Sequence, residues 1–307
     1  MLEAGSRYNP RAMILESVPN FSEGRSREVC DAIAAAAREA GARVLDLEMD
    51  KDHHRSVLTF IGSPETAAAA AFAAAKKAVE LIDLTRHQGE HPRMGAIDVL
   101  PFVPLQGASM DDAVRVAKQV GRRIGEELRL PVYLYEFAAP RPDRRNLAEI
   151  RKPQFEGLRD LIGKDPGRVP DFGPNAIHPT AGCVAVGARL PLIAYNIDLD
   201  GNDLAIAKKI ARTIRERDGG LPGIKALGLS IADRACAQVS MNVCDYTRTG
   251  LLDVFRAVEA EAARLGATIR SSEVIGLLPR AALPPDGERL LKLAGFSPKQ
   301  VLESHLS

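Results

Sequence analysis

Apolar and polar positions along the 307-residue chain fall into two copies of one pattern. In the first half, residues 13–18 predict a strand, 26–40 a helix ended by Gly41, and 43–47 and 56–61 two more strands. Ser63 then caps an alanine-rich helix with Pro64 at its first position, and a strand at 97–103 completes βαββαβ. One further helix follows. Ser109 and Asp112 form a variant capping box, and Val116, Val120, Ile124 and Leu128 recur on one helix face. Residues 132–135 predict a short additional strand.

The second half repeats the order. Residues 192–197 predict a strand, and Asn202 is expected to cap a helix that aligns Ile206, Ile210 and Ile214 and stops at Gly219 and Gly220. Strands at 224–231 and 236–244 follow. A helix marked by Leu251, Val254, Phe255, Val258, Ala262 and Leu265 then ends at Gly266, and a last strand lies within 267–277. The fold class is α+β, with two ferredoxin-like βαββαβ subdomains. Residues 140–189, rich in Pro, Gly and Arg, read as a connecting segment with one short helix near 155–161. The expected divisions are a polar N-terminal extension at 1–12, a first subdomain at 13–188 and a second at 189–307.

Strand side chains alternate between faces. At 236–244 one face carries Ala237, Val239, Met241 and Val243, and the other Cys236, Gln238, Ser240, Asn242 and Cys244. At 224–231 Leu227, Leu229 and Ile231 alternate with Ala226, Gly228 and Ser230. The apolar face suits helix packing. The small polar face is either a solvent-facing sheet surface or the wall of a cleft.

A hydrophobic content of 46% and a charged content of 26% are those of a globular chain. A formal net charge of +1 lacks the basic excess of nucleic-acid or membrane-surface proteins. The cysteines at 30, 183, 236 and 244 form no CxxC pair and read as reduced thiols of a cytoplasmic protein. The first twelve residues lack the apolar core of a signal peptide, and no apolar run approaches the ~20 residues of a membrane span.

The densest chemistry lies at 86–95, where two histidines, two arginines and a glutamate share a segment that Gly89, Pro92 and Gly95 keep irregular. His91 is the candidate proton carrier, since imidazole titrates near pH ~6.5, and Glu90 and Arg93 can tune it. His87 and His91 have the spacing of helical zinc ligands, but Gly89 and Pro92 interrupt a helix and no third ligand is evident, so no metal is expected. Asp52, His53 and His54, with Asp46, Glu48 and Asp50, make an acidic, imidazole-rich strand end that reads equally as a solvated loop. Residues 171–182 expose backbone groups through four Gly and Pro positions, suited to a planar polar ligand or to a plain linker. There is no P-loop, GxGxxG or nucleophile elbow, so no nucleotide cofactor is expected.

Together these motifs resemble the formiminotransferase domain family, the glutamate formimidoyltransferases. The matching residues are Val18-Pro-Asn-Phe-Ser-Glu-Gly24, the strand start at 52–60, Gly89-Glu-His-Pro-Arg-Met-Gly95 with Asp98, Val132-Tyr-Leu-Tyr135, residues 171–182 with Gly187-Ala-Arg189, and Ala237-Gln-Val-Ser-Met-Asn242. The resemblance implies transfer of a formimino group from N-formimino-L-glutamate to tetrahydrofolate, a co-substrate, by a cytoplasmic homodimer whose two sheets face each other across a cleft. It makes His91 the general acid/base. It places folate binding on Gly173, Pro174, Asn175, Ala176, Ile177, His178, Pro179, Thr180, Ala181 and Gly182. From residue chemistry, Arg55 and Arg93 are candidates for substrate carboxylates, Glu23, Glu48 and Asp50 for the amidine, and Gln238, Ser240 and Asn242 for a facing wall. Some relatives carry asparagine where this chain has His54, and some carry a cyclodeaminase domain; with the chain ending at Ser307, that step is expected on a separate enzyme. The competing readings are an ATP-dependent 5-formyltetrahydrofolate cycloligase, a folate-binding protein without turnover, and, last, a metal hydrolase.

Overall fold

The computed structural model describes residues 13–51, 53–89, 92–231 and 234–306, and the expected extension at 1–12 lies outside them. Two compact units are divided between Arg189 and Leu190.

In the first unit, β1 (Leu15–Ser17) and β2 (Asn20–Phe21) are two pieces of one strand interrupted at Val18 and Pro19. Proline has no N–H to give to a ladder, so the strand breaks there. Both pieces pair antiparallel with β4 (Arg55–Gly62) and with β5 (Ile97–Pro104), and β3 (Arg43–Asp50) pairs on the far side of β4. With α1 (Arg27–Glu39) and α2 (Pro64–Leu81) as crossovers, this is a ferredoxin-like βαββαβ sheet. Ser26 and Ser63 cap these helices through the N–H groups of Val29 and Thr66.

The sheet then continues beyond the expected motif. β7 (Val184–Ala188) lies parallel between β5 and β6 (Val132–Glu136). The expectation of a linker over 140–189 is therefore corrected: this stretch holds α4 (Leu147–Arg151), α5 (Gln154–Leu161) and a central strand. β7 is small, apolar and buried along its length, so it has no alternation to reveal it. A Cβ on Gly187 would lie 2.5 Å from the Tyr135 ring, so only hydrogen fits.

One face of this sheet packs under α1, α2 and α3 (Met110–Glu127), with Leu15, Phe21, Leu58, Phe60, Leu100 and Phe102 meeting alanines of α2 and the Val116, Val120, Ile124 stripe of α3. The other face carries polar groups: Glu16, Asn20, Arg55 and Thr59 alternate away from that core. Asp98 joins them because of a bulge, in which Asn20 and Phe21 oppose Val99 and Ile97 and leave Asp98 as the extra residue.

The second unit is a four-stranded antiparallel sheet in the order β11 (Ile269–Ile275), β8 (Ile193–Leu199), β10 (Cys236–Val243), β9 (Ile224–Ile231), with α6 (Leu204–Ile214) and α7 (Leu251–Arg264) as crossovers. It is ferredoxin-like as expected. Two details correct the sequence reading. Asp203, not Asn202, caps α6: its carboxylate accepts from the N–H groups of Ala205 and Ile206 at 2.8 and 3.3 Å. An anion at that end also favours the helix dipole. The faces of β9 are the reverse of the hydropathy reading. Ala226 and Gly228 stand opposite Met241 and Val239 on the buried face, because α6 comes so close that a Cβ on Gly228 would lie 2.4 Å from the Lys208 nitrogen. Leu227 is left 60% exposed opposite Ser240. Among the described residues, no helix is long and apolar enough to cross a membrane.

Candidate active site

Glu90, His91 and Asp52 lie outside the described residues, but the chain on either side of the Glu90–His91 pair is tied down in detail. Upstream, the N–H of Leu84 donates to the Thr180 carbonyl at 2.8 Å. His87 is buried and sits face to face with His54, ring centres 4.2 Å apart and planes within 8°. Arg93 Nε donates to His87 Nδ1 at 3.1 Å, so the imidazole hydrogen sits on Nε2 and donates to the His54 carbonyl at 2.9 Å. Burial, with the neighbouring charges of His54 and Arg93, keeps His87 below the ordinary imidazole range, so it is neutral near pH 7.

His54 adopts a left-handed backbone conformation (φ 49°) that turns its ring toward this segment. Its Nδ1 lies 2.9 Å from the Gln88 carbonyl and its Nε2 3.2 Å from a Glu23 oxygen. Both contacts are satisfied only when both ring nitrogens carry hydrogen. Burial opposes ionisation of Glu23, but the N–H groups of Ser26 and Arg25 and the His54 ring outweigh it and hold the carboxyl below its usual range. Gly89 completes the clamp, since a Cβ there would lie 2.5 Å from the His53 carbonyl oxygen. The turn before β4 thus grips the three residues ahead of Glu90.

Downstream, Arg93 forms a two-toothed pair with Glu156 at 2.9 and 2.6 Å. With Nε on His87, its guanidinium is engaged on every nitrogen within the unit, so a substrate carboxylate there has to compete with Glu156. Gly95 and Gly182 pair backbone to backbone; a Cβ on Gly95 would lie 1.8 Å from the Cys183 oxygen. The N–H of Ala96 donates to the Ala181 carbonyl at 2.9 Å, and that of Cys183 to the Met94 carbonyl at 3.0 Å. The two dense sequence motifs, 86–95 and 171–182, are therefore adjacent segments of one structure. Within the second, Gly173 packs on Gly125 of α3 and the Leu130 carbonyl. His178 Nδ1 accepts from Thr180 and Ala181, and burial lowers its pKa.

Beside these segments an open pocket of about 770 Å³ is lined by Arg25, Arg86, His87, Gly89, Arg93 and Arg159, among others. That is room for a small-molecule ligand; Glu156, which also lines it, offsets Arg93, and Arg25, Arg86 and Arg159 leave the lining with a positive excess that favours an anion.

On the polar sheet face, Asp98 is 1% exposed and accepts from the Met94 N–H at 2.9 Å and from Arg55 Nη1 at 3.1 Å, and it forms an ion pair with Arg151, whose Nη2 lies 2.7 Å away. Arg55 also donates to the Asn20 side-chain oxygen. Burial, offset by Asp98 and reinforced by Arg151, pulls the Arg55 guanidinium down to about 10, still charged at neutral pH. Tyr135 borders the group; burial pushes its phenol up to about 12, with Arg189 and Arg151 moderating the rise. Glu16, farther along the face, is raised to about 7 by burial against the opposing pull of Arg189. Residue chemistry singled out Arg55 but not Arg151, Tyr135 or Glu16. A usable signal for Asp98 was a carboxylate inside an otherwise apolar strand.

Of the proposed amidine partners, Glu48 stands opposite Val57, at the edge of this face. Asp50 is engaged by His53 through both backbone and ring, at 2.8 and 2.7 Å. In the second unit, Gln238 is buried and donates to Asp198 at 2.8 Å, and Arg234 bridges Asp198 and Glu273 at 3.0 Å each. Ser240 is half-buried and Asn242 exposed. Among the described residues, no group of three or more His, Cys, Asp or Glu side chains could hold a metal ion.

Comparison with known proteins assigns this arrangement to a family. The N-terminal subdomain of the formiminotransferase domain matches residues 14–189, and the formiminotransferase domain matches residues 194–293. A glutamate formimidoyltransferase of Streptococcus pyogenes serotype M1 is 46% identical over 297 residues, covering 96% of this chain and 99% of that protein. One from Thermoplasma acidophilum is 46% identical over 296 residues, 94% of this chain and 96% of that protein. The formimidoyltransferase-cyclodeaminase of Rattus norvegicus is 41% identical over 279 residues, which are 89% of this chain but only 51% of the longer relative. With both family patterns matched and near-full-length relatives at this identity, the chain belongs to the formiminotransferase domain family.

Proposed function

We propose that this enzyme transfers the formimino group of N-formimino-L-glutamate to tetrahydrofolate, giving 5-formiminotetrahydrofolate and L-glutamate. The observation that carries this reading is 46% identity, over nearly the whole chain, to proteins named glutamate formimidoyltransferase. The 89–95 motif is intact and its flanks are fastened to the 173–182 segment.

The electrophile is an amidine-type carbon. Nitrogen five of the reduced pterin attacks it and gives a tetrahedral intermediate; the carbon–nitrogen bond to glutamate then breaks. The attacking nitrogen loses one proton and the departing nitrogen gains one. His91 carries out both transfers as general base and then general acid, a role worth roughly 10²–10⁴-fold. No covalent enzyme intermediate is required. Protonated amidine favours a nearby carboxylate, and Glu48, at the edge of the polar face, fits that role. The backbone of residues 173–182 binds the pterin side. The working form is a cytoplasmic homodimer, and its product is the kind of formimino-folate that a cyclodeaminase consumes.

The test is a spectroscopic assay of tetrahydrofolate across a panel of formimino donors, with and without ATP. Formation of 5-formiminotetrahydrofolate from formiminoglutamate without ATP is the expected result. Turnover of 5-formyltetrahydrofolate that depends on ATP, or folate binding without turnover of any donor, would overturn it.

A further inference from the structure

We propose that Arg151, seated against Asp98 on the polar face of the first sheet, binds a substrate carboxylate of a glutamyl group. The inference rests on the formimino-transfer reading and deepens it. Arg151 ends the short helix α4 and its side chain is 14% exposed. Its Nη2 lies 2.7 Å from the same Asp98 oxygen that Arg55 Nη1 approaches at 3.1 Å. Asp98 also takes the Met94 N–H. Arg151 therefore shares its one carboxylate with a second guanidinium instead of owning a full counter-charge. Its Nε–H is buried without a hydrogen-bond partner.

Burying a guanidinium is costly unless its charge and donors are matched. Five donors in a planar fork, with Nη2 drawn to Asp98 by charge, form a ready receptor for a planar anion. A bound carboxylate restores the charge balance around the shared Asp98 and gives the orphaned Nε–H an acceptor. Tyr135 on β6 is buried, and the Arg151 charge reaches its phenol. Arg55, which also donates to the Asn20 side-chain oxygen, holds the same Asp98 oxygen, so the carboxylate is fixed before the ligand arrives. Both substrates carry glutamyl carboxylates, and the experiment separates them.

Arg151→Gln removes the charge while keeping a donor toward Asp98, and Arg151→Lys keeps a point charge without the fork. KM is measured for formiminoglutamate and for tetrahydrofolate. It is measured again for N-formimino-4-aminobutyrate, which lacks the donor's α-carboxylate, for N-formiminoglutamine, which lacks the γ-carboxylate, and for tetrahydropteroate, which lacks the glutamyl group. Arg151→Gln is expected to raise one substrate's KM about ten- to a hundred-fold, as fits loss of a charge-assisted pair, with kcat changed far less. Arg151→Lys falls between. The truncated analogue of that same substrate is expected to be equally weak for wild type and Arg151→Gln. A donor-confined effect assigns the carboxylate to the donor, and a folate-confined effect to the pterin substrate. Calorimetric binding of L-glutamate and of 5-formyltetrahydrofolate reads the same receptor without turnover, so an inactive wild type would count against the reaction and not against the site. Unchanged KM values and unchanged binding in folded Arg151→Gln would overturn the proposal. So would an equal penalty on the truncated analogues.

Discussion

Replacing His54 with alanine tests whether the turn before β4 holds the segment that precedes His91. The substitution removes a 2.9 Å hydrogen bond to the Gln88 carbonyl, a 3.2 Å contact with Glu23 and a ring stack on His87 at 4.2 Å. A neutral hydrogen bond is worth roughly 1 kcal/mol and one to a charged group roughly 1.5–3 kcal/mol. The stack adds about 0.5–1.5 kcal/mol. Partial solvent screening and relaxation of the turn take back part of that sum, so a stability loss of about 2–3 kcal/mol is expected. The kinetic effect is larger than a distant cavity would give, because Gln88 and Gly89 lead directly into Glu90 and His91; a displacement of ~1 Å at a proton carrier can cost ~10²-fold. We therefore expect kcat to fall about ten- to a hundred-fold. His54→Asn should be milder on both measures. Asparagine tolerates the positive φ at this position better than most residues, and its amide can still donate to Gln88. The assays are urea denaturation and spectroscopic formation of 5-formiminotetrahydrofolate at saturating substrates. A His54→Ala enzyme with kcat within twofold of wild type would refute the positioning role, whatever its stability.

Glu16→Gln should stabilise the protein at pH 8 and leave it nearly unchanged at pH 4. The folded carboxyl is raised from 4.5 to about 7, so its favourable contribution is complete below the unfolded value and is lost as pH rises through the folded one. At about 1.36 kcal/mol per pH unit the difference is on the order of 3 kcal/mol, readable as a pH-dependent gap between the two unfolding midpoints. An equal gap at both pH values would contradict it. Gly95→Ala places its new methyl 1.8 Å from the Cys183 oxygen. It should therefore cost more than about 3 kcal/mol in chemical denaturation and abolish turnover. Gly219→Ala, with a positive φ but no neighbour within 4 Å, is the mild control. It should cost only about 1 kcal/mol and spare turnover. Gly228→Ala should push α6 off its sheet and destabilise the second unit, seen as loss of hydrogen-exchange protection in β9 and β10.

Elements whose residues speak for themselves were legible in the sequence. Serine caps, the Val116–Val120–Ile124 stripe and the strand alternation of Ala237 to Val243 each follow from local chemistry, and both ferredoxin-like motifs came from their order. What escaped depended on backbones that approach each other. β7 has no polar alternation because it is buried on both sides, and the faces of β9 reverse because α6 needs the room that only Gly228 leaves. The same holds for the site. The motif at 86–95 stood out by composition, but its contact with residues 171–182 is made through Gly95 and Gly182, whose significance is the absence of a side chain. Arg151 gave no signal at all. An arginine in a predicted linker looks solvated until the fold brings Asp98 to it.

The most direct test of the proposed chemistry is the rate of His91→Ala with tetrahydrofolate and formiminoglutamate both saturating, in protein whose unfolding midpoint matches wild type. We predict kcat lower by roughly 10²–10⁴-fold with the substrates still bound, as expected on removing a proton carrier. Formation of 5-formiminotetrahydrofolate within a few-fold of the wild-type rate would contradict that role.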